Sequence, residues 1–287
     1  MTPKVLVRVI DTPQPHWVGD GFLVRPLFAD LAFTNAVSPF LMLDYAAPAQ
    51  FKPSDPPPGV GPHPHAGFET VTIVYDGELE HRDSAGHTGL IGKGDVQWMT
   101  AARGIVHEEF HSRGASRRGG TVSMAQLWVN LPRRDKGAPP AYQDIRDADI
   151  PRVELASGAG VARVIAGELL GAKGPARTFS PMNVWDIKLR AGAEVELPIS
   201  EGDNAVLPVF HGALEIGGRA VDAGKVALFA REGDAITLRA RADTQALLLA
   251  GSPIDEPIAA QGPFVMNTRQ EIQQAMDDYR RGKMGSL

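Results

Sequence analysis

"GVGPHPHAGFETVTIVYDGELEH", Gly59–His81, holds the reading on which the fold turns. Its centre, "ETVTIVY" (residues 69–75), is a run of β-branched and aromatic residues of strand length, and the Asp76-Gly77 pair that follows supplies the positive φ a tight hairpin needs. Just ahead of the run, His63 and His65 stand one residue apart. In an extended chain such residues project to the same side.

Outward from this stretch the pattern repeats. "KVLVRVI", "DVQWMTA", "AQLWVNL", "ARVIAG", "NVWDIKL", "NAVLPVF", "KVALFA", "DAITLRA" and "ALLLAG" all read as strands, with 31 Gly and 23 Pro falling between them as turns. The fold class is therefore all-β. One helix is expected, "TRQEIQQAMDDYRRGKM" near the C-terminus, with Thr268 as cap, Glu271 completing a capping box, and Ile272, Met276 and Tyr279 on one face. The stretch "NLPRRDKGAPPAYQDIRDADIP", residues 130–151, is polar and rich in proline and charge. It reads as a linker, giving domains at 1–135 and 136–287, each with several strands closed by glycine turns. "RGASRRGG", residues 113–120, reads as a solvated loop.

With 287 residues, the chain has ample length for two domains. It has no cysteine, so disulfides, thiolate metal sites and iron–sulfur clusters are excluded, and any metal is held by nitrogen and oxygen. A formal net charge of -5 disfavours a nucleic-acid backbone as partner. No apolar run is long enough to span a bilayer, and the opening "MTPKVLVRVIDTPQPHW" lacks the pattern of a secretory signal, so a cytoplasmic protein is expected. Glycine-rich phosphate loops and a Gly-x-Ser-x-Gly elbow are missing.

Six of the eight histidines lie between positions 63 and 111. "GIVHEEF" repeats the spacing of the first pair, with His107 and Glu109 two apart. Brought together on neighbouring strands, His63, His65, His107 and Glu109 offer three neutral nitrogens and a carboxylate, a set suited to divalent Fe, Mn, Ni, Cu or Co, with Zn also admissible. Two positions would stay open, and the site's charge of about +1 would favour an anionic oxygen ligand. Glu69 competes for the carboxylate role, since it shares parity with His63 and His65 unless Gly67 bulges the strand. His81, His87 and His111 read as strand-end residues or as partners of the ligands, and His211 as an isolated turn histidine. Phe68, Gln97, Trp98, Gln126 and Trp128 are candidates to line an apolar pocket.

"HPHAGFETVTIVYDGELEHRDSAGHTGLIGKGDVQWMTAARGIVHEEF", followed by "QLWVNLP" and by "QGPFVMNT" before the helix, resembles the pirin family of the cupin superfamily. The similarity spans essentially the whole chain and is densest from His63 to Pro132. Relative to a general cupin, the first motif keeps His-x-His-x-x-x-Glu with Gly77 one residue later than usual, and the second has Thr100 near the usual proline while keeping Gly104 and His107. The resemblance implies two tandem cupin domains, with the metal in the N-terminal one, held by His63, His65, His107 and Glu109. It implies iron, most often Fe(II), and a quercetin 2,3-dioxygenase activity in which a flavonol chelates through its 3-hydroxyl and carbonyl. Glu109 or another nearby base would take the hydroxyl proton, and dioxygen would open the ring with loss of carbon monoxide. It also implies a monomer, and leaves as alternative a metal-bearing regulator acting through a protein partner, the role known for the mammalian member.

Overall fold

The computed structural model describes residues 1–29 and 35–287, and shows an all-β chain with a helix near its C-terminus. It divides into two compact units, one of residues 14–26, 43–147 and 254–287, the other of residues 1–13, 27–42 and 148–253. All ten runs read as strands from their residue pattern lie in strands. The division is not a single cut at 135: residues 1–13 and 27–42 group with 148–253, and residues 136–147 and 254–287 with the earlier unit. The first residues pair into the later unit, Leu6–Asp11 lying antiparallel to Lys225–Phe229. The terminal helix, Arg269–Arg280, packs instead in the earlier unit.

In the first unit a seven-stranded sheet faces a four-stranded one. Strand order in the larger sheet is Ala141–Ile145, Val96–Thr100, Phe68–Asp76, Gly120–Asn130, Phe40–Phe51, Phe22–Phe28 and His16–Val18. The smaller runs Gly59–His65, Ile105–His111, Leu79–Asp83 and Thr88–Ile91. The second unit repeats this plan with a seven-stranded sheet ordered Leu6–Asp11, Lys225–Phe229, Asn204–His211, Thr244–Gly251, Met182–Leu189, Gly160–Ala166 and Arg152–Leu155. Its four-stranded sheet runs Glu194–Pro198, Ala235–Ala240, Ala213–Ile216 and Arg219–Asp222. Val195, Leu197, Ile236 and Leu238 from this smaller sheet are buried in an apolar core with Trp185, Leu207 and Leu248.

Three expectations change. Asp76-Gly77 does not close a hairpin, because Phe68–Asp76 pairs with Val96–Thr100 and Gly120–Asn130 while Leu79–Asp83 belongs to the other sheet. Gly77 (φ +84°) is instead the corner at which the chain changes sheets, and a Cβ there would meet the Thr121 carbonyl at 2.9 Å. The expected linker contains a strand, Ala141–Ile145, paired along Val96–Thr100, because flanking prolines and charges mask five residues of alternating burial. Residues 113–118 of the expected loop form a short helix, Arg113–Arg118, whose first turn is capped when Ser112 accepts from the Ala115 amide.

The C-terminal helix starts as the capping pattern demands. Thr268 accepts from the Glu271 amide at 3.1 Å, and Glu271 accepts from the Asn267 amide at 3.0 Å. Ile272 and Ala275 bury with Phe264, Met284, Ala66 and Val106, the last two being immediate neighbours of His65 and His107. No helix among the described residues is long and apolar enough to cross a membrane.

Candidate metal centre

The strand Ile105–His111 sits inside the small sheet, between Gly59–His65 and Leu79–Asp83. Register sets the site: His107 lies opposite His63 on one side and Asp83 on the other, while Glu109 lies opposite Val60 and His81. Between His107 and Glu109 the pairing with Gly59–His65 shifts, a bulge of the kind that re-aims side chains. Pro62 and Pro64 are tolerated because Gly59–His65 is an edge strand with only one partner to satisfy.

His63, His65 and His107 converge, each offering a nitrogen within 4.8 Å of the others. Their ring centroids are 4.3 Å apart for His63 and His107 and 4.9 Å for the other two pairs. His63 is partly exposed and donates from Nδ1 to the Gly61 carbonyl at 2.8 Å, which leaves Nε2 as a lone pair. His65 Nδ1 and His107 Nε2 are buried and find no hydrogen-bond partner among the described residues. Burial, with neighbouring His63, pushes the His65 imidazole down to about 3. His107 is driven well below its ordinary value by burial and by the adjacent imidazoles. Both are neutral at pH 7, as metal ligation demands, and orphaned buried nitrogens are what a divalent cation would satisfy.

Glu109 belongs to a second convergent set, with His81 and His107. Its carboxylate is held from the facing sheet. Gln97, Thr72 and Gln126 are register partners across three adjacent strands. Thr72 Oγ1 and Gln97 Nε2 donate to Glu109 Oε1 at 3.3 and 3.2 Å, and Gln126 Nε2 donates to Oε2 at 2.9 Å. Glu69 joins neither set. Gly67 (φ +89°) carries the chain from the small sheet to the large one between His65 and Glu69, so parity along one strand does not connect them. A side chain at Gly67 would strike the Val265 carbonyl. Glu69 is instead buried against Thr100, which donates to its Oε1 at 2.7 Å, and burial lifts its carboxyl to about 7.

Of the pocket candidates, Phe68 and Trp128 flank His65 at 5.1 and 5.3 Å and pack on each other at 4.2 Å. Gln97 and Gln126 serve Glu109, and Trp98, one residue from Gln97 on its strand, points to the opposite face. His81 Nδ1 is 3.4 Å from His107 Nδ1, its Nε2 is 3.2 Å from Asp83 Oδ2, and partly exposed His87 bonds the same carboxylate oxygen at 2.9 Å. Burial works to raise the Asp83 carboxyl, yet bonds from His81 and His87 bring it below its ordinary value. His111 lies elsewhere, bonded to the Gly21 carbonyl and edge-on to Phe22 and Phe51. His211 is exposed at the end of its strand in the other unit.

Three contributors were not foreseen. Tyr142 stacks on His81 and His87 and donates to Gln97 Oε1 at 3.3 Å, fixing the amide with Nε2 toward Glu109. Its strand was hidden in the proline-rich stretch. Asp83 follows the His-x-Asp spacing of "HRD", the same two-residue spacing that singled out His107 and Glu109. Lys136, pushed down to about 8 by burial, donates to Asn130 and to the Gly67 and Val265 carbonyls, tying the C-terminal segment to the residue two beyond His65. No local pattern marks it.

The family model for pirin matches residues 21–129, and that for the pirin C-terminal cupin domain matches residues 184–285. The chain belongs to the pirin family. It has two cupin domains and is all-β with a C-terminal helix. A Pseudomonas aeruginosa pirin relative named "putative quercetin 2,3-dioxygenase" is 51% identical over 280 residues, 98% of each chain. A crystal structure of quercetin 2,3-dioxygenase from Acinetobacter baumannii superposes with a TM-score of 0.97 at 48% identity, covering 99% of both chains. The nickel(II) complex of a bacterial pirin from Escherichia coli, 20% identical with a TM-score of 0.63, covers 86% of this chain and 100% of its own, and shares the fold.

Proposed function

We propose that this pirin is a metal-dependent dioxygenase of the quercetin 2,3-dioxygenase type, opening the ring of a flavonol-like substrate with dioxygen. The observation that carries the reading is the convergence of three imidazoles, His63, His65 and His107, beside a carboxylate, Glu109, that three donors hold in place. Those four side chains are the proposed ligands, and nitrogen with carboxylate oxygen suits Fe(II) first, with Mn, Ni, Cu, Co or Zn as substitutes. A bound divalent ion supplies Lewis acidity and, as iron, redox chemistry toward dioxygen.

The protein's own groups do the rest. Glu109 Oε1 accepts two donors and Oε2 only one, so Oε2 is the oxygen free to receive the substrate's hydroxyl proton. Gln97 cannot turn its carbonyl toward that carboxylate while Tyr142 donates to it. Trp128, backed by fully buried Phe68 and partly exposed beside His65, is the apolar face against which an aromatic ring would stack. His63, Gln126 and Trp128 keep partial exposure and mark the side from which a substrate approaches.

Anaerobically purified protein loaded with Fe(II) is expected to consume one dioxygen for each carbon monoxide released from quercetin, and His63→Ala to abolish this. Turnover unchanged in that variant would overturn the assignment. Metal retained without turnover of any flavonol would leave a binding role.

A further inference from the structure

Resting on the ligand reading above, we infer that Asp83 is a positioning residue: it fixes the tautomers of two successive imidazoles, His81 and His107, and so presents the lone pair of His107 Nε2 to the metal. The argument runs through who can donate. A carboxylate only accepts, so the 3.2 Å contact between Asp83 Oδ2 and His81 Nε2 places the His81 hydrogen on Nε2. With its hydrogen there, the imidazole of His81 presents a bare Nδ1. Its neighbour at 3.4 Å is His107 Nδ1, and a bond between two ring nitrogens needs one hydrogen, which His107 must supply. That leaves His107 Nε2 without hydrogen, and this is the buried nitrogen that has no partner among the described residues.

Asp83 is built so that its own orientation cannot slip. Oδ1 accepts from the backbone amides of Ala85 and His87 at 2.9 and 3.0 Å, which pins Oδ2 toward His81 and toward His87 Nδ1 at 2.9 Å. The side chains of Asp83 and His81 are fully buried, so water does not compete for these bonds. Tyr142 covers both imidazoles that bond to it, at ring separations of 4.9 and 5.7 Å.

The pinning gives a sharp test. In Asp83→Asn the two backbone amides hold the amide oxygen at the Oδ1 position, so the NH2 group faces His81. His81 Nε2 must then accept, its hydrogen moves to Nδ1, and His107 is left with hydrogen on Nε2, unable to ligate. In His81→Gln the polarity survives, because the Gln amide donates to Asp83 and its carbonyl accepts from His107. Zinc is the probe, being diamagnetic and without redox chemistry. Expected is a roughly 10- to 100-fold loss of zinc affinity in Asp83→Asn and retention within a few-fold in His81→Gln. Histidine nitrogen NMR of the metal-free full-length protein should place the His107 hydrogen on Nδ1 in the wild type and on Nε2 in Asp83→Asn. Should Asp83→Asn fail to fold, His81→Gln against His81→Leu makes the same comparison, since leucine cannot accept. A wild-type His107 hydrogen on Nε2, or equal zinc affinities in the Gln and Leu variants, would overturn the inference while leaving the ligand set standing. A wild type that binds no zinc would overturn both.

Discussion

Gln126 Nε2 lies 2.9 Å from Glu109 Oε2, a hydrogen bond that joins the seven-stranded sheet to the four-stranded one across the metal-bearing unit. It is the shortest of the three donors on that carboxylate. A hydrogen bond to a charged group contributes about 1.5–3 kcal/mol, and leucine at 126 would remove it while filling similar space. Gln126→Leu is therefore expected to lower quercetin turnover by roughly 10-fold or more, since a 1.4 kcal/mol loss is a factor of ten. Fe(II) should still bind. Steady-state rates beside metal content by elemental analysis separate the two.

The two buried imidazoles dictate how the metal-free protein responds to acid. His65 titrates at about 3 in the fold and near 6.5 when unfolded, and His107 is displaced in the same direction. Between those values the unfolded chain binds the extra protons, so stability is full above pH 6.5 and falls as pH drops toward 3. Each group contributes a slope of about 1.4 kcal/mol per pH unit. Urea midpoints of chelator-treated protein from pH 7 to 5 should decline steeply, and should decline less in His65→Phe. Equal slopes in the two proteins would contradict the assigned burial.

Glu69 moves the other way. Its carboxyl is held at about 7 by burial against an unfolded value near 4.5, so the folded state binds more protons in that window and stability falls as pH rises through it. This opposes the two histidines, so Glu69→Gln should make the stability of the metal-free protein rise more steeply with pH between 4.5 and 6.5. Zinc affinity should stay within about 2-fold, because Glu69 belongs to neither convergent set. A large loss of affinity would restore it as a ligand.

How much of this could be read from residues alone follows from which constraints are local. A strand-length run of β-branched and apolar residues is local, and "ETVTIVY" or "NAVLPVF", both buried on both faces, announce strands without help from the rest of the chain. The spacing of His63 to His65 and of His107 to Glu109 is local as well. Which strand lies beside which is not: Asp76-Gly77 carries hairpin chemistry, yet the chain changes sheets there because Gly120–Asn130 occupies the flank. Glu69 stays a competitor to Glu109 on sequence for the same reason, since the sheet change at Gly67 is invisible to parity counting. Tyr142 and Lys136 act through partners roughly 45 to 130 residues away, and such pairings leave no trace in a window of sequence.

The terminal helix supports the ligands from behind. Ile272 is 4% exposed and shares an apolar cluster with Ala66 and Val106, the neighbours of His65 and His107. Ile272→Ala should cost about 2–5 kcal/mol in stability through the cavity it leaves. Thermal melts check that figure. Because the cluster sets the backbone of both histidines, zinc affinity is expected to fall several-fold in the same variant, whereas Ile216→Ala, in the core of the other unit, should lower the melting temperature without touching affinity.

Metal stoichiometry distinguishes the two cupin units. Ile105–His111 and Ala235–Ala240 occupy the same place in their four-stranded sheets, second in an order that begins with Gly59–His65 and Glu194–Pro198 respectively. In the first pair of strands the inward positions carry His65, His107 and Glu109. In the second they carry Val195, Leu197, Ile236 and Leu238, packed into a continuous apolar core that offers no lone pair to a cation. A divalent ion placed there would lose its hydration without replacement, a cost of many kcal/mol. Elemental analysis of zinc-saturated protein should therefore give one ion per chain, and His63→Ala combined with His107→Ala should bring it to none. Two ions in the wild type, with one surviving the double substitution, would show that the second unit ligates metal by residues other than these.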